Sequence, residues 1–320
     1  MTRSRAAPAR RNRSRRRFVL GGMALLAVGL VWIGLRPSDP VHVLRKHAPV
    51  PLGLVREKAA DLGARVERWR IPVAGGDTLT GVWRRALDTP GSIAMPYTCV
   101  LLGGLRTGGS AALLLPDSLD VHVLALDWPW GGPQSMPRSA FVRAVPAIRR
   151  AILRAPGVLA LGVEVVARQP DVDPGRIVVV GASLGVPPAV AALRLTSKPR
   201  ACALVHGAAD LQSMFRHATR AHVPRPFDAL AAMLAARWIR PLEPRVHADS
   251  LRDVPFLIVN ATDDDKWPRE AIAALHDAFP WATVHWQDGR HMRSVRGPMI
   301  ESLTHEIKAW LDAIDASATL

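Results

Sequence analysis

The pattern that most constrains this chain is Gly-x-Ser-x-Gly at residues 181–185, set between a strand and a helix. Arg176–Val180 is dominated by β-branched apolar residues, which is typical of a buried strand, and Val186–Leu195 has the composition of a helix. A serine at such a turn is held in strained geometry with its hydroxyl exposed, and the glycines let neighbouring backbone come close. The pattern therefore predicts Ser183 as a nucleophile.

A serine hydroxyl needs a base, and the base needs an acid that orients it. At this kind of turn the partners follow the serine along the chain as Asp or Glu and then His. We predict a strand at Val254–Asn260 followed by the loop 261–268, and a strand at Thr283–Trp286 followed by a loop that ends in His291. Loops after parallel strands are where functional groups gather. The sequence thus supplies both partners in the required order.

With these elements the chain resembles the α/β-hydrolase superfamily, and in particular its dienelactone-hydrolase-like and peptidase-like branch, from about residue 66 to about residue 311. The resemblance implies an α/β-hydrolase fold with a mostly parallel central sheet flanked by helices and a small helical cap segment at about 210–248. It also implies a Ser-Asp-His triad. In the family's acid loop, Gly-x-x-Asp-x-x-Val-Pro, the register of 261–268 selects Asp264. Asp263 and Asp265 stay open, because a slip of one residue would exchange them.

His291 follows Gly289-Arg290, which is similar to the family's Gly-x-His loop before the last helix. His285 competes with it but lies inside the predicted strand. His206 and His217 follow the strand after the Ser183 turn and could line a pocket, although an ordinary polar role is the simpler interpretation.

The oxyanion hole of such a site needs two backbone N–H groups. The first is predicted at Leu184, directly after the nucleophile. The second is predicted in the loop after the strand Tyr97–Leu102, at Leu105 with Gly104 beside it. A plain glycine turn is the alternative interpretation of this loop.

The N-terminal residues predict where in the cell the chain is located. The formal net charge is +15, and residues 1–17 contain eight arginines and no acid. Phe18–Leu35 is an uncharged apolar run that would span about 27 Å as a helix, close to the thickness of a bilayer core. The arginines place the N-terminus in the cytoplasm, and Ser14–Leu20 resembles a twin-arginine export signal. We expect an uncleaved anchor, with a removed signal as the alternative.

The predicted organisation is therefore a basic cytoplasmic tail at 1–17, a transmembrane helix or signal segment at 18–35, a linker at 36–60 and the α/β-hydrolase domain at 61–320. The domain would lie on the periplasmic or extracellular side of a bacterial inner membrane, or be secreted if the signal is removed. Because the body has no basic stripe with interleaved aromatics, we expect no nucleic-acid partner. No zinc spacing or phosphate loop is present, so we expect no metal or cofactor.

These features favour a serine hydrolase that cleaves a small-molecule carboxylic ester, or a thioester or amide, through an acyl-enzyme on Ser183. Acyl transfer by the same triad and a non-catalytic, membrane-tethered binding module are the alternatives. The large apolar side chains of the cap segment either pack onto the sheet or form a pocket over Ser183. These side chains are Met214, Phe215, Phe227, Met233 and Trp238. Apolar spacing also predicts a helical region at Ser139–Arg168, interrupted at Pro156-Gly157.

Overall fold

Nine strands among the described residues form one sheet, and their bounds in chain order are β1 Val55–Lys58, β2 Val66–Pro72, β3 Thr78–Arg84, β4 Tyr97–Leu102, β5 Val121–Leu126, β6 Ile177–Ala182, β7 Ala201–Val205, β8 Phe256–Ala261 and β9 Thr283–Gln287. Their order across the sheet is β1-β2-β3-β5-β4-β6-β7-β8-β9. β1, β2, β3 and β5 pair antiparallel, and every pair from β5 to β9 is parallel. The predicted mostly parallel sheet is therefore present.

The helices of the described residues are α1 Pro40–His47, α2 Ala111–Leu114, α3 Arg138–Val166, α4 Val186–Ala192, α5 Leu211–Thr219, α6 Phe227–Trp238, α7 Arg269–Ala278 and α8 Pro298–Ala318. This computed structural model describes residues 39–87, 95–133, 135–197, 199–220, 223, 225 and 227–318. The predicted tail at 1–17 and the predicted transmembrane or signal segment at 18–35 lie outside those ranges. Within the described ranges, no helix is both long enough and apolar enough to cross a bilayer.

The central strands separate two hydrophobic cores. β6 is apolar at nearly every position because both of its faces are covered, as expected for a parallel strand. Val179 belongs to the core under α3 and α4, whereas Val178 and Val180 belong to the core under α8. Cys202 lies in the first core and Cys99 in the second, with β6 between their strands. Both thiols are buried and free.

α3 continues through Pro156, so the predicted interruption at Pro156-Gly157 is wrong. A proline inside a helix removes one hydrogen bond, and burial against other elements outweighs that loss here. Gly157 has a packing role, because a Cβ at this position would lie only 2.7 Å from Cα of Ala48. The residue therefore lets the segment after α1 approach α3.

The expected linker at 36–60 is also wrong for its described part. Residues 40–47 form α1, whose Leu44 is fully buried in a cluster with Leu153 of α3. Asp39 caps this helix by accepting from the Val41 N–H at 3.0 Å. Residues 55–58 form β1, which pairs with β2. Proline-rich composition suggested a linker, but the capped helix has one buried face that fixes it to the domain.

The cap segment at 210–248 is helical, as predicted, and contains α5 and α6. Glu243 holds its start by accepting hydrogen bonds from the N–H groups of Asp210 and Leu211 at 3.1 and 2.8 Å. Met214 and Phe215 pack into the cluster that contains Leu44. The other members of this cluster lie in helices and loops, so these two side chains are packed, but against helices rather than onto the sheet as predicted.

Candidate active site

Ser183 lies at a sharp turn between β6 and α4. Its backbone φ is +54°, a left-handed value that is uncommon for a residue with a side chain. One 3-10 turn, Ser183–Gly185, connects the strand to the helix. A Cβ at Gly185 would lie 1.9 Å from the carbonyl oxygen of Leu102, so only glycine fits where the turn meets the end of β4. This geometry is the strained turn that the sequence predicts.

The structure brings Ser183, His291 and Asp264 into one hydrogen-bonded row. Nε2 of His291 lies 2.8 Å from Oγ of Ser183, and Nδ1 of His291 lies 2.8 Å from Oδ2 of Asp264. The side chains of His291 and Asp264 are 5% and 1% exposed. Each residue comes from a loop at the carboxyl edge of the sheet, after β6, β8 and β9. Three residues far apart in sequence therefore form one hydrogen-bonded row, in which the side chains of His291 and Asp264 are shielded from water.

The hydrogen bonds select Asp264 among the three neighbouring aspartates. Its Oδ1 accepts from the N–H groups of Lys266 and Trp267 at 2.8 and 3.0 Å. Asp263 and Asp265 are exposed to solvent. The register of the loop thus aims one carboxylate at His291 and leaves its two neighbours outside.

The protonation pattern follows from these contacts. Burial alone would raise the pKa of Asp264, but the hydrogen bonds from His291 and from the Trp267 and Lys266 N–H groups hold that pKa below its usual value. An ionised Asp264 only accepts hydrogen bonds, so Nδ1 of His291 carries a proton. In the neutral ring Nε2 then has a free lone pair, which accepts the hydroxyl hydrogen of Ser183. The row is arranged to remove a proton from the serine.

His206 holds the loops of His291 and Asp264 in place, a role that was not predicted from the sequence. It follows β7, has φ +47° and is fully buried. Its Nδ1 accepts from the N–H of Met292 at 2.9 Å, and its carbonyl accepts from Nε1 of Trp267 at 3.0 Å. One residue therefore ties together the loops that carry His291 and Asp264. Its place after the strand next to β6 is the sequence signal that points to the site.

Burial, with a smaller contribution from the nearby His291, lowers the pKa of His206 to about 4. The ring is therefore neutral near pH 7. Because Nδ1 accepts a hydrogen bond, Nε2 carries the proton of this neutral ring. His206 thus supports His291 without adding a positive charge beside it.

The other candidate histidines lie away from the row. His285 is in β9, and its Nδ1 contacts Oε1 of Glu306 on α8 at 2.6 Å. His217 lies on the exposed side of α5. His291 is therefore the histidine, of those considered from the sequence, that meets Ser183.

The two predicted oxyanion segments lie against each other. Leu184 is at the start of a 3-10 turn, and the first N–H groups of a helical turn have no acceptor within it. The loop after β4 is fixed by a hydrogen bond from Nε1 of Trp128 to the Gly103 carbonyl, 2.9 Å, and by one from the Thr107 N–H to the Gly104 carbonyl, 3.0 Å. Leu184, Gly104 and Leu105 all line the cavity beside Ser183.

That cavity has a volume of about 520 Å³, and Ser183 and His291 are among the residues that line it. It extends on the α8 side of the sheet, away from the cap segment. None of the described residues of 210–248 lines it, so the alternative pocket formed by Met214, Phe215 and their neighbours over Ser183 is wrong. Phe227 and Met233, which belong to that set, are exposed.

His206, Asp264 and His291 offer nitrogen and oxygen atoms that lie within 4.8 Å of one another, a spacing that a metal ion could use. Both nitrogens of His291, both oxygens of Asp264 and Nδ1 of His206 are already in hydrogen bonds. A metal ion would have to break several of them, so the hydrogen bonds, rather than a metal ion, account for this arrangement.

No family model and no curated protein sequence matches the chain. Solved structures do resemble it. An acetyl xylan esterase from a Paenibacillus species is 17% identical with a TM-score of 0.57, and the match covers 86% of this chain and 92% of the esterase. Acetyl xylan esterase 1 from a Thermoanaerobacterium species is 13% identical with a TM-score of 0.56, covering 86% and 94%. An acylaminoacyl peptidase from Pyrococcus horikoshii is 17% identical with a TM-score of 0.53, covering 87% and 44%.

These likenesses are between backbones whose sequences have diverged widely, and they show the fold. The backbone that matches the two esterases includes the mostly parallel sheet flanked by helices, since each match covers 86% of this chain. The predicted α/β-hydrolase fold is therefore confirmed.

Proposed function

We propose that this chain is a serine hydrolase that cleaves a carboxylic ester, or a thioester or amide, through an acyl-enzyme on Ser183. The observation that carries the proposal is the pair of 2.8 Å contacts that His291 makes with Ser183 and Asp264. Esterases and a peptidase among the similar structures support it at the level of the fold.

In the proposed reaction, Oγ of Ser183 attacks the substrate carbonyl carbon while Nε2 of His291 takes the hydroxyl proton. Asp264 stabilises the imidazolium that forms. The tetrahedral intermediate collapses, and His291 gives its proton to the departing alcohol, thiol or amine. Water then attacks the acyl-enzyme with His291 again as the base, which releases the carboxylic acid and restores Ser183.

The negative oxygen of the tetrahedral intermediate needs donors that are already in place. The Leu184 N–H fits this role because it follows the nucleophile at the open end of a turn. The second donor comes from the loop after β4, at Leu105 or Gly104. The close contact between Gly185 and Leu102 holds these two segments at a fixed distance.

The proposal is tested with a fluorophosphonate probe, from which a reactive serine displaces fluoride and forms a stable oxygen–phosphorus bond. We expect labelling of Ser183 in the wild-type chain, loss of labelling in Ser183→Ala and a strong decrease in His291→Gln. Ser250→Ala, an exposed serine outside the site, is the matched control and keeps full labelling. A wild-type chain that neither reacts with the probe nor hydrolyses any acyl ester is a binding module, and the proposal is then wrong.

Acyl transfer by the same three residues is the second candidate, and the apolar lining of the cavity favours it because it limits access of water to the acyl-enzyme. Product analysis separates the two reactions. With an ester substrate and a graded series of added alcohols, a hydrolase yields the free acid throughout. A transferase yields new esters at alcohol concentrations where water is still in large excess.

For the cellular address, we propose that residues 18–35 hold the chain at a bacterial inner membrane with the α/β-hydrolase domain on the outer side. The support is the uncharged apolar run and the eight arginines before it. Protease added to spheroplasts should degrade the domain. Protection of the domain until the cells are lysed would place it in the cytoplasm and overturn this orientation.

A further inference from the structure

The cavity beside Ser183 is long and runs along the strand direction on one face of the sheet. Ser183 and His291 line one end, and Leu311 lines the other. Ser183 is two residues after Gly181, which pairs with Leu102 at the carboxyl end of β4. Val121, the first residue of β5, also lines the cavity, and it pairs with Tyr97 at the amino end of β4. The two ends of the cavity therefore lie at opposite edges of the sheet.

The length of the cavity follows from that placement. Tyr97 and Leu102 are separated by five steps of a strand, which is about 16 Å at 3.3 Å per residue. One acyl chain spans half of a bilayer core, or about 15 Å. The cavity thus has the length of a long acyl chain.

The walls are apolar along that length. On one side α8 contributes Ile300, Leu303, Ile307 and Leu311, whose spacing of three and four residues places them on one helix face. On the other side, alternate residues of β4, β5 and β6 and one residue of β7, Val205, face the cavity. The lining polar groups in the middle and at the far end are engaged. The hydroxyl of Thr304 donates to the Ile300 carbonyl at 2.6 Å, and Nζ of Lys308 pairs with Asp312 at 2.7 Å.

Protein interiors are normally close-packed, so space of this kind has a structural cause. α2, which covers the same face as α8, has only four residues, Ala111–Leu114, and Ala111 lies at the cavity wall. Such a short helix leaves the sheet face between itself and α8 open. Apolar cavities of this type take up apolar ligands in place of water.

We propose that this cavity receives the aliphatic chain of the substrate's acyl group, with the carbonyl carbon at Ser183 and the chain running along α8 towards Leu311. The proposal rests on the proposed function, because it places the chain by reference to the nucleophile. Each methylene buried in the cavity should raise kcat/KM by about four-fold, which is about 0.8 kcal/mol. The substrate class is therefore a long-chain acyl ester or thioester.

The test compares acetyl, octanoyl and dodecanoyl esters of one chromogenic alcohol, each below its micelle concentration, with the full-length chain. We expect kcat/KM to rise by at least about 100-fold from acetyl to dodecanoyl. In Ile307→Trp, whose indole would fill the middle of the cavity, the ratio of dodecanoyl to acetyl kcat/KM should fall at least about ten-fold. Ala309→Trp, which places the same side chain on the exposed face of α8, is the matched control and keeps the wild-type ratio.

Two measurements keep the proposal independent of turnover. Calorimetry should show dodecanoate, but not acetate, binding to Ser183→Ala. In the wild-type chain, dodecanoate but not acetate should also raise the midpoint of thermal unfolding, because a ligand that binds only the folded state stabilises it. The second measurement needs no substitution, so it holds even if Ile307→Trp does not fold.

The outcomes separate the two proposals. Hydrolysis of all three esters with similar kcat/KM, with no dodecanoate binding, leaves the hydrolase proposal standing and overturns the acyl-chain cavity. Binding of dodecanoate by a chain that hydrolyses none of the esters and does not react with the fluorophosphonate probe overturns the hydrolase proposal and shows an apolar ligand site without catalysis.

Discussion

The backbone N–H of Met292 donates a hydrogen bond of 2.9 Å to Nδ1 of His206. Met292 directly follows His291, so this bond fixes the loop that carries the proposed base. The carbonyl oxygen of His206 also accepts a hydrogen bond from Nε1 of Trp267, which belongs to the loop that carries Asp264. A residue that touches none of the reacting atoms thus sets the relative position of two that do.

The first prediction concerns this bracing. His206→Ala removes the acceptor for the Met292 N–H, so His291 loses its fixed position, and we expect kcat to fall about 10- to 100-fold with little change in KM. His206→Asn should retain most of the activity. The amide oxygen of asparagine can accept the same hydrogen bond, and asparagine tolerates the positive φ of this position.

Steady-state kinetics and fluorophosphonate labelling rates measure the effect, with the exposed His217→Ala as control. An equal fall of kcat in His206→Asn and His206→Ala, or a change confined to KM, would contradict a positioning role for His206.

The second prediction is that His206 makes the folded state sensitive to acid. Its pKa is lowered to about 4 by burial, whereas an unfolded histidine titrates near its ordinary 6.5. Above about pH 6.5 the His206 imidazole is neutral in both the folded and the unfolded chain, so the full stability is present. As the pH falls towards 4, this imidazole becomes protonated in the unfolded chain before it does in the folded chain. This term should lower the free energy of unfolding by roughly 3 kcal/mol over that interval.

Urea denaturation at pH 7.5 and pH 5 measures it in the wild-type chain and in His206→Asn. Other buried histidines and carboxylates respond to pH in both proteins, so the difference between them isolates His206. An identical pH dependence in the two proteins would refute this assignment.

The third prediction separates the three aspartates after β8. Asp264→Asn keeps the shape of the side chain but removes the charge that fixes the tautomer of His291, so kcat should fall about 10⁴-fold. Asp263→Asn and Asp265→Asn are matched controls on the exposed part of the loop and should stay within about two-fold of wild type. A large loss in either control with a small one in Asp264→Asn would mean that the loop adopts the shifted register.

The fourth prediction tests the contact between the Ser183 turn and β4. Gly185→Ala would place a methyl group 1.9 Å from the Leu102 carbonyl oxygen, so the two segments must separate. We expect a loss of at least about 3 kcal/mol in the free energy of unfolding, together with loss of activity. Gly131→Ala, at a loop position where a Cβ meets nothing within 4 Å, serves as the control. Near-wild-type stability of Gly185→Ala, measured by thermal melting, would disprove the tight contact.

Much of this site could be predicted from the sequence because its parts are local. The elbow at Ser183 is a short pattern between a strand and a helix, and the loops of Asp264 and His291 follow strands that parallel pairing brings to one edge. Choosing Asp264 over its neighbours relied on a family resemblance, since all three aspartates share the same local composition. The hydrogen bonds from Lys266 and Trp267 supply the physical reason for that choice.

The sequence could not predict features that depend on how distant elements pack. The role of His206 depends on where the loop after β9 returns to the sheet. The cavity depends on the gap between a short α2 and the long α8, so the apolar residues of the cap segment were the wrong place to look for it. α1 was not predicted because a helix of eight residues with prolines on both sides of it carries too little periodicity.

The contact at Gly185 is made by main-chain atoms on both sides, where the Leu102 carbonyl meets a residue that has no side chain. Substitutions elsewhere in the wall of the cavity therefore reshape the space for the substrate without moving the junction between the elbow and the loop after β4. Substitutions in α2 and α8 could therefore change which acyl group the cavity accepts, while the distances at the reactive centre stay the same.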